Sequence, residues 1–134
     1  MIELAFRLSW PLSTNERHSV MRKGPLAGRV FRNSCVDRYY VQVAKELLMQ
    51  RVPCQSLDGS LELELDFHAD SRRRFDLSNF VKSVEDALVK AKLIEDDSCF
   101  DRLVLERGAR HETPCVDVVV RQLTAAAKQL EFGT

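Results

Sequence analysis

The stretch Arg72-Arg73-Arg74-Phe75-Asp76-Leu77-Ser78-Asn79, with Lys82 one turn further on and Asp96-Asp97 beyond it, is the densest concentration of polar function in the chain. The arginines stand immediately before a predicted helix start, where unpaired backbone N–H groups and the helix dipole favour an anion such as a phosphate. Asp76, Asp96 and Asp97 offer carboxylate oxygens of the kind Mg²⁺ takes, often one or two from the protein with water and substrate phosphate completing the shell. Carboxylates, lysine and arginines together describe metal-assisted phosphodiester cleavage, in which water is activated and charge developing on the phosphate is stabilised. Each part also has a plain structural use. The arginine run suits a solvated loop, Asp76 suits a helix N-cap contributing about 1 kcal/mol, Asn79, Lys82 and Asp86 suit a polar helix face, and Asp96-Asp97 suits a turn. What sets the group apart is the return of carboxylates at Asp96-Asp97, after the helix. If the strand that follows lies beside the strand preceding Arg72, Asp97 comes back toward Asp76.

The elements that must position these residues are legible as periodicities. Residues 2–8 alternate, with Ile2, Leu4, Phe6 and Leu8 on one face, and 60–67 alternate more cleanly, with Leu61, Leu63, Leu65 and Phe67 opposed to Glu62, Glu64, Asp66 and His68. A helix from Ser34 to about Gln50 carries Val36, Tyr40, Val43, Leu47 and Leu48, and a second from Asp76 or Leu77 to about Lys92 carries Phe80, Val81, Val84, Leu88 and Ala91. Strands follow at about 99–107 and 115–123, joined by 108–114, and residues 124–130 suit a short helix. Between Pro11 and Asn33 the chain reads as a basic loop, with Arg17, His18, Arg22, Lys23, Arg29 and Arg32 against Glu16. The order β-α-β-α-β-β predicts an α/β (α+β) fold, a mixed sheet with both helices packed on it.

Composition sets the limits. The 134 residues, 45% hydrophobic and 30% charged, suit one domain over 1–134 and exclude disordered and collagen-like classes. Lys plus Arg (20) equals Asp plus Glu (20), so polyanion binding requires unevenly placed charge. No apolar run approaches the roughly 20 residues of a spanning helix, and the opening MIELAFRLSW lacks a cleavage signal, which together predict a soluble cytoplasmic protein. Cys35, Cys54, Cys99 and Cys115 form no C-x-x-C pair, which disfavours zinc, and the lack of a signal peptide disfavours disulfides.

The motif also resembles the RusA-like Holliday junction resolvases. The likeness is carried by Arg72 to Asn79, Lys82, Asp86-Ala87-Leu88, Lys90-Ala91 and Asp96-Asp97, with no insertion, and more weakly by Trp10-Pro11-Leu12-Ser13-Thr14-Asn15. It spans about Leu8 to Arg107 and implies a homodimeric, Mg²⁺-dependent endonuclease that nicks four-way DNA junctions symmetrically, in recombination and repair. It implies Asp76 and Asp97 as metal-binding catalytic carboxylates, with Asp96 beside them, and Lys82 as a cation on the scissile phosphate. Asn79 supports that site, and Arg72, Arg73 and Arg74 hold DNA phosphates, with the basic Arg17, Arg22 and Lys23 adding positive charge. One position departs: Ser78 stands where the family has a second acid, and a hydroxyl is a poor replacement for a primary Mg²⁺ ligand. Asp66, Asp70, Asp96 and Asp101 are candidates to compensate, and His68 shares a strand face with Asp66. The departure raises a second reading, a junction-binding protein with impaired cleavage. A third, a small domain binding a protein partner, predicts salt-insensitive association with DNA, whereas true phosphate binding weakens steeply with salt.

Overall fold

The structure is a computed structural model that describes residues 2–13, 18–20, 30–32, 34–71 and 74–123, with backbone alone at 18–20 and 30–32. Four strands form the main sheet: β1 (Glu3–Ser9), β4 (Leu61–His68), β5 (Phe100–Arg107) and β6 (Cys115–Gln122). Their order is β1-β6-β4-β5, with β6 antiparallel to both neighbours and β4 parallel to β5. The remaining elements are β2 (His18–Val20), β3 (Val30–Arg32), α1 (Ser34–Met49) and α2 (Ser78–Lys90). This is the mixed sheet with two helices that the periodicities predict.

The pairing explains why alternation was so clear in β4. It is a central strand, and Leu61, Leu63, Leu65 and Phe67 are all buried in one cluster with Phe6 and Leu8 of β1 and Val116, Val118 and Val120 of β6. Rows such as Leu8, Val116 and Phe67 lie in register across three strands. The helices close over this face with Tyr39, Val43 and Leu47 from α1 and Val81, Val84, Ala87 and Leu88 from α2. Fully burying each such Leu, Val or Phe contributes roughly 1.5–3 kcal/mol.

The opposite face of the sheet is polar and internally paired. Glu62 is buried there because Arg121 Nη1 lies 2.6 Å from its Oε1 and Arg102 Nε lies 3.3 Å from its Oε2. Arg121 also reaches Glu64 at 3.0 Å and Glu3 at 3.3 Å. A buried carboxylate persists in a folded chain only with such partners.

Three expectations need correction. The segment 11–33, read as a basic loop, contains a small antiparallel hairpin in which His18, Ser19 and Val20 pair with Arg32, Phe31 and Val30. Strands of three residues are too short to show alternation. On α1 the buried tyrosine is Tyr39 rather than Tyr40, its hydroxyl donating to Ser9 O at 3.1 Å, and Leu48 is 79% exposed. Finally, α2 starts at Ser78 with Leu77 at the N-cap position, so Asp76 stands one residue further out.

The cysteines are free thiols, Cys115 buried and Cys54 exposed. Among the described residues no helix is long and apolar enough to cross a membrane. Arg17, Arg22, Lys23, Arg72, Arg73 and the segment 124–130 lie outside the described residues.

Candidate active site

The chain leaves the C-terminal end of β4 at His68 and enters α2 at Ser78, and the turn between them forms one wall of a cavity of about 550 Å³. Trp10, Phe75 and Phe80 form its apolar side, while Asp70, Arg74, Asp76 and Asn79 supply charge and hydrogen-bonding groups. The aromatic wall is well fixed. Trp10 meets Phe75 and Phe80 edge-on at centroid distances of 5.2 Å, and Phe67 from the core supports it at 5.8 Å. Ser83 of α2 donates its hydroxyl to Leu12 O at 2.6 Å, which docks the segment after β1 against the helix. The weak Trp10-to-Ser13 likeness thus belongs to the same cavity as the strong Arg74-to-Asn79 one.

Asp76 occupies this cavity as an exposed carboxylate whose Oδ1 accepts from Ser78 N at 3.2 Å and from Ser78 Oγ at 2.8 Å. The backbone bond satisfies one of the unpaired N–H groups at the helix start, so Asp76 does cap-like work from one residue outside the usual position. Ser78, at the place of the missing acid, is turned onto Asp76.

Further along the same face of α2, Lys82 follows Asn79 by three residues and Asp86 follows Lys82 by four. Lys82 Nζ lies 2.7 Å from Asp97 Oδ2 and 3.0 Å from Asp86 Oδ1. Asp97 reaches this point because β5 pairs parallel with β4, which carries the chain back along α2 before the strand begins in a short 3-10 turn, Asp97–Cys99. Hydrogen bonds that it donates to Asp97 and then Asp86 hold the Lys82 ammonium above its usual range, so it is a permanent cation suited to stabilising charge. Glu85 stands close by, its carboxyl pushed up by burial and by the charge of Asp97.

Asp96 stands at the start of that 3-10 turn. It caps the 3-10 turn, accepting from Ser98 N at 3.2 Å and from the Ser98 hydroxyl, and these bonds hold its carboxyl below the usual range. Of the residues considered as substitutes for the missing acid, Asp101 accepts from the Ser60 hydroxyl, and Asp66 lies on the far face of the sheet. Asp70 lines the cavity with Asp76. The structure therefore brings Asp97 to Lys82, and Asp76 to Asn79, Asp70 and Arg74. The lining of the cavity includes Asp76 but neither Lys82, roughly one helical turn beyond Asn79, nor its partner Asp97.

A second cavity of about 320 Å³ adjoins the first through Ala69, Ser71, Arg74 and Phe75, and adds Arg107 and Arg110. Arg107 donates to Phe75 O and lies over the Phe75 ring, 5.3 Å from its centroid. These two arginines escaped the sequence reading. Nothing local marks them, since Arg107 ends β5 and Arg110 lies in the connection to β6, and only the parallel pairing of β5 with β4 brings them beside Arg74.

A family model described as endodeoxyribonuclease RusA matches residues 10–121. The chain belongs to the RusA endodeoxyribonuclease family. That membership makes it a nuclease of the Holliday junction resolvase type, a class that acts on branched DNA in recombination. No match was found among curated proteins. A RusA-type enzyme calls for a divalent metal, and carboxylates of the kind a hard one takes stand in two places, Asp76 in the cavity and Asp97 with Asp86 around Lys82. Among the described residues, the one group of three side chains whose ligand atoms lie within 4.8 Å of one another is elsewhere, at Asp66, His68 and Asp117.

Proposed function

We propose that this chain is a Mg²⁺-dependent, structure-selective endonuclease that resolves four-way DNA junctions as a homodimer. It acts in the cytoplasm in recombination and repair, placing one nick through each of two identical sites. The observation that carries this reading is the line of groups along α2. An arginine-flanked cavity holds Asp76 and Asn79 at the start of the helix, and the Lys82 and Asp97 pair follows on the same face. Asp76 and Asp97 would hold the metal, which supplies an activated water and neutralises charge on the phosphate. Lys82 adds a fixed positive charge to the developing phosphorane. Arg74, Arg107 and Arg110 hold flanking phosphates, and Arg72, Arg73, Arg17, Arg22 and Lys23, outside the described residues, add positive charge for DNA. Two copies related by a two-fold axis match the symmetry of a junction.

A second reading has its own support. The Ser78 hydroxyl is spent as a donor to Asp76 and supplies no carboxylate in place of the missing acid, which favours a junction-binding protein with weakened cleavage. One experiment separates the two. A labelled four-way junction is incubated with Mg²⁺ and the protein, beside linear duplex of the same sequences and an Asp76→Asn variant. Paired symmetric nicks in the junction alone, absent with Asp76→Asn, support the nuclease. Tight binding without nicks supports the binder, and no preference for the junction removes both.

A further inference from the structure

The far face of the sheet holds a second constellation, which the nuclease chemistry does not use. The β4 and β6 register sets Asp66 directly opposite Asp117, an arrangement of like charges that opposes pairing unless a positive charge stands between them. Arg7, directly opposite Asp117 on the other side, takes both its oxygens from outside, with Nε at 2.7 Å from Oδ1 and Nη2 at 3.0 Å from Oδ2. Each carboxylate oxygen keeps a further lone pair. Between the two carboxylates lies the His68 ring, its Nε2 at 2.9 Å from Asp117 Oδ2 and 3.5 Å from Asp66 Oδ2. Its Nδ1 lies 2.7 Å from Ala109 O. A carbonyl only accepts, so Nδ1 is the donor there and Nε2 is the ring atom that faces the two carboxylates. That is the posture of a metal-bound histidine, whose other nitrogen donates to a carbonyl.

Two further observations point the same way. Asp66 Oδ1 is buried with no hydrogen-bond partner, although a buried carboxylate oxygen ordinarily has one. Gly108 packs its backbone against the same groups so closely that a Cβ there would lie 2.4 Å from Asp66 Oδ1 and 2.5 Å from His68 Cε1. The separations of 2.9 Å and 3.5 Å bracket the roughly 3.4 Å between donors that share a tetrahedral ion about 2.1 Å away.

We propose that Asp66, His68 and Asp117 form a structural site for a divalent transition metal, of which Mn²⁺ and Zn²⁺ suit one imidazole and two carboxylates better than Mg²⁺ does. The bound ion fastens β4 to β6 and, through the Ala109 bond, fixes the loop that carries Gly108 and Arg110 on the cavity wall. This inference is independent of the reading given to Asp76 and Asp97.

The test counts bound Mn²⁺ by the loss of its free electron paramagnetic resonance signal, since Mn²⁺ avoids the free cysteines that compete for Zn²⁺. The protein is the full chain carrying Asp76→Asn and Asp97→Asn, which removes the carboxylates proposed for the nuclease metal. About one Mn²⁺ should remain bound and raise the melting temperature, and both effects should vanish on adding His68→Gln. Asp66→Asn, with folding checked by circular dichroism, gives the same answer should His68→Gln not fold. No Mn²⁺ bound by the Asp76→Asn/Asp97→Asn chain overturns the proposal and leaves His68 as a hydrogen-bonding partner of the acids alone. Binding that survives both His68→Gln and Asp66→Asn overturns it as well.

Discussion

Replacing Ser78 by aspartate probes the metal assignment through stability as well as through cleavage. In the present chain Asp76 Oδ1 accepts from Ser78 Oγ at 2.8 Å. Ser78→Asp exchanges that hydrogen bond, worth about 1 kcal/mol at an exposed site, for two like charges about 4 Å apart, a repulsion of about 1 kcal/mol in water. The sum, about 2 kcal/mol less the relief from side-chain rotation and salt, lowers the melting temperature in EDTA by roughly 3–8 °C for a chain of this size. With Mg²⁺ the sign reverses. The same repulsion is what a divalent cation relieves, and a third carboxylate should tighten Mg²⁺ binding about tenfold, equivalent to about 1.4 kcal/mol. Mg²⁺ should then raise the melting temperature of Ser78→Asp by more than it raises that of the wild type. Calorimetric scans in EDTA and across a Mg²⁺ titration measure both arms, and junction cleavage should rise in parallel. Equal Mg²⁺ responses in the two proteins would refute the placement of a metal beside Asp76.

Three other perturbations read separate parts of the molecule. Gly108→Ala forces a Cβ to 2.4 Å from Asp66 Oδ1 and should cost about 1–3 kcal/mol, visible as a melting temperature several degrees lower, whereas an unchanged value contradicts the packing. Arg74→Gln should weaken junction binding and reduce the slope of log affinity against log salt by about 1, measured by fluorescence anisotropy between 50 and 200 mM salt; an unchanged slope removes Arg74 from the phosphate contacts. Glu85 has a raised carboxyl pKa, so its favourable contribution to folding is present below the ordinary glutamate value and is lost as pH rises through the raised one. Glu85→Gln should therefore match the wild type near pH 4 and melt at higher temperature at pH 7, and the opposite order would show that Lys82 outweighs burial there.

The parts of this fold that could be read from sequence are those where burial imposes a period. Leu61, Leu63, Leu65 and Phe67 announce a strand because every second residue of it enters the core. Val81, Val84 and Leu88 announce a helix for the matching reason. Tyr39 and Tyr40 illustrate the limit, since adjacent residues of similar character differ by about 100° around α1 and the contact with Ser9 O decides which one turns inward. The site divides along the same line. Lys82 and Asp86 are four residues apart on one helix, so their pairing is a local fact. The bond from Lys82 to Asp97 depends on the parallel placement of β5, which the spacing suggested only conditionally. Asp66 and His68 share a strand face by alternation, but Asp117 joins them through the antiparallel pairing of β6, and no local signal announces a partner so distant in sequence.

The ion-paired outer face of the sheet bears on how this molecule meets another one. There Arg7, Arg102 and Arg121 are committed to Asp117, Glu62, Glu64 and Glu3, so the positive charges on this face are already answered within the fold. Arg74, Arg107 and Arg110 sit instead at the adjoining cavities. A sum of zero is therefore not the same zero in every direction. A rod of regularly spaced phosphates drifting to within about 10 Å, where screening no longer hides individual charges, feels a torque before it feels a contact. The first encounter is biased toward one orientation, and the rotational search that precedes docking is shortened.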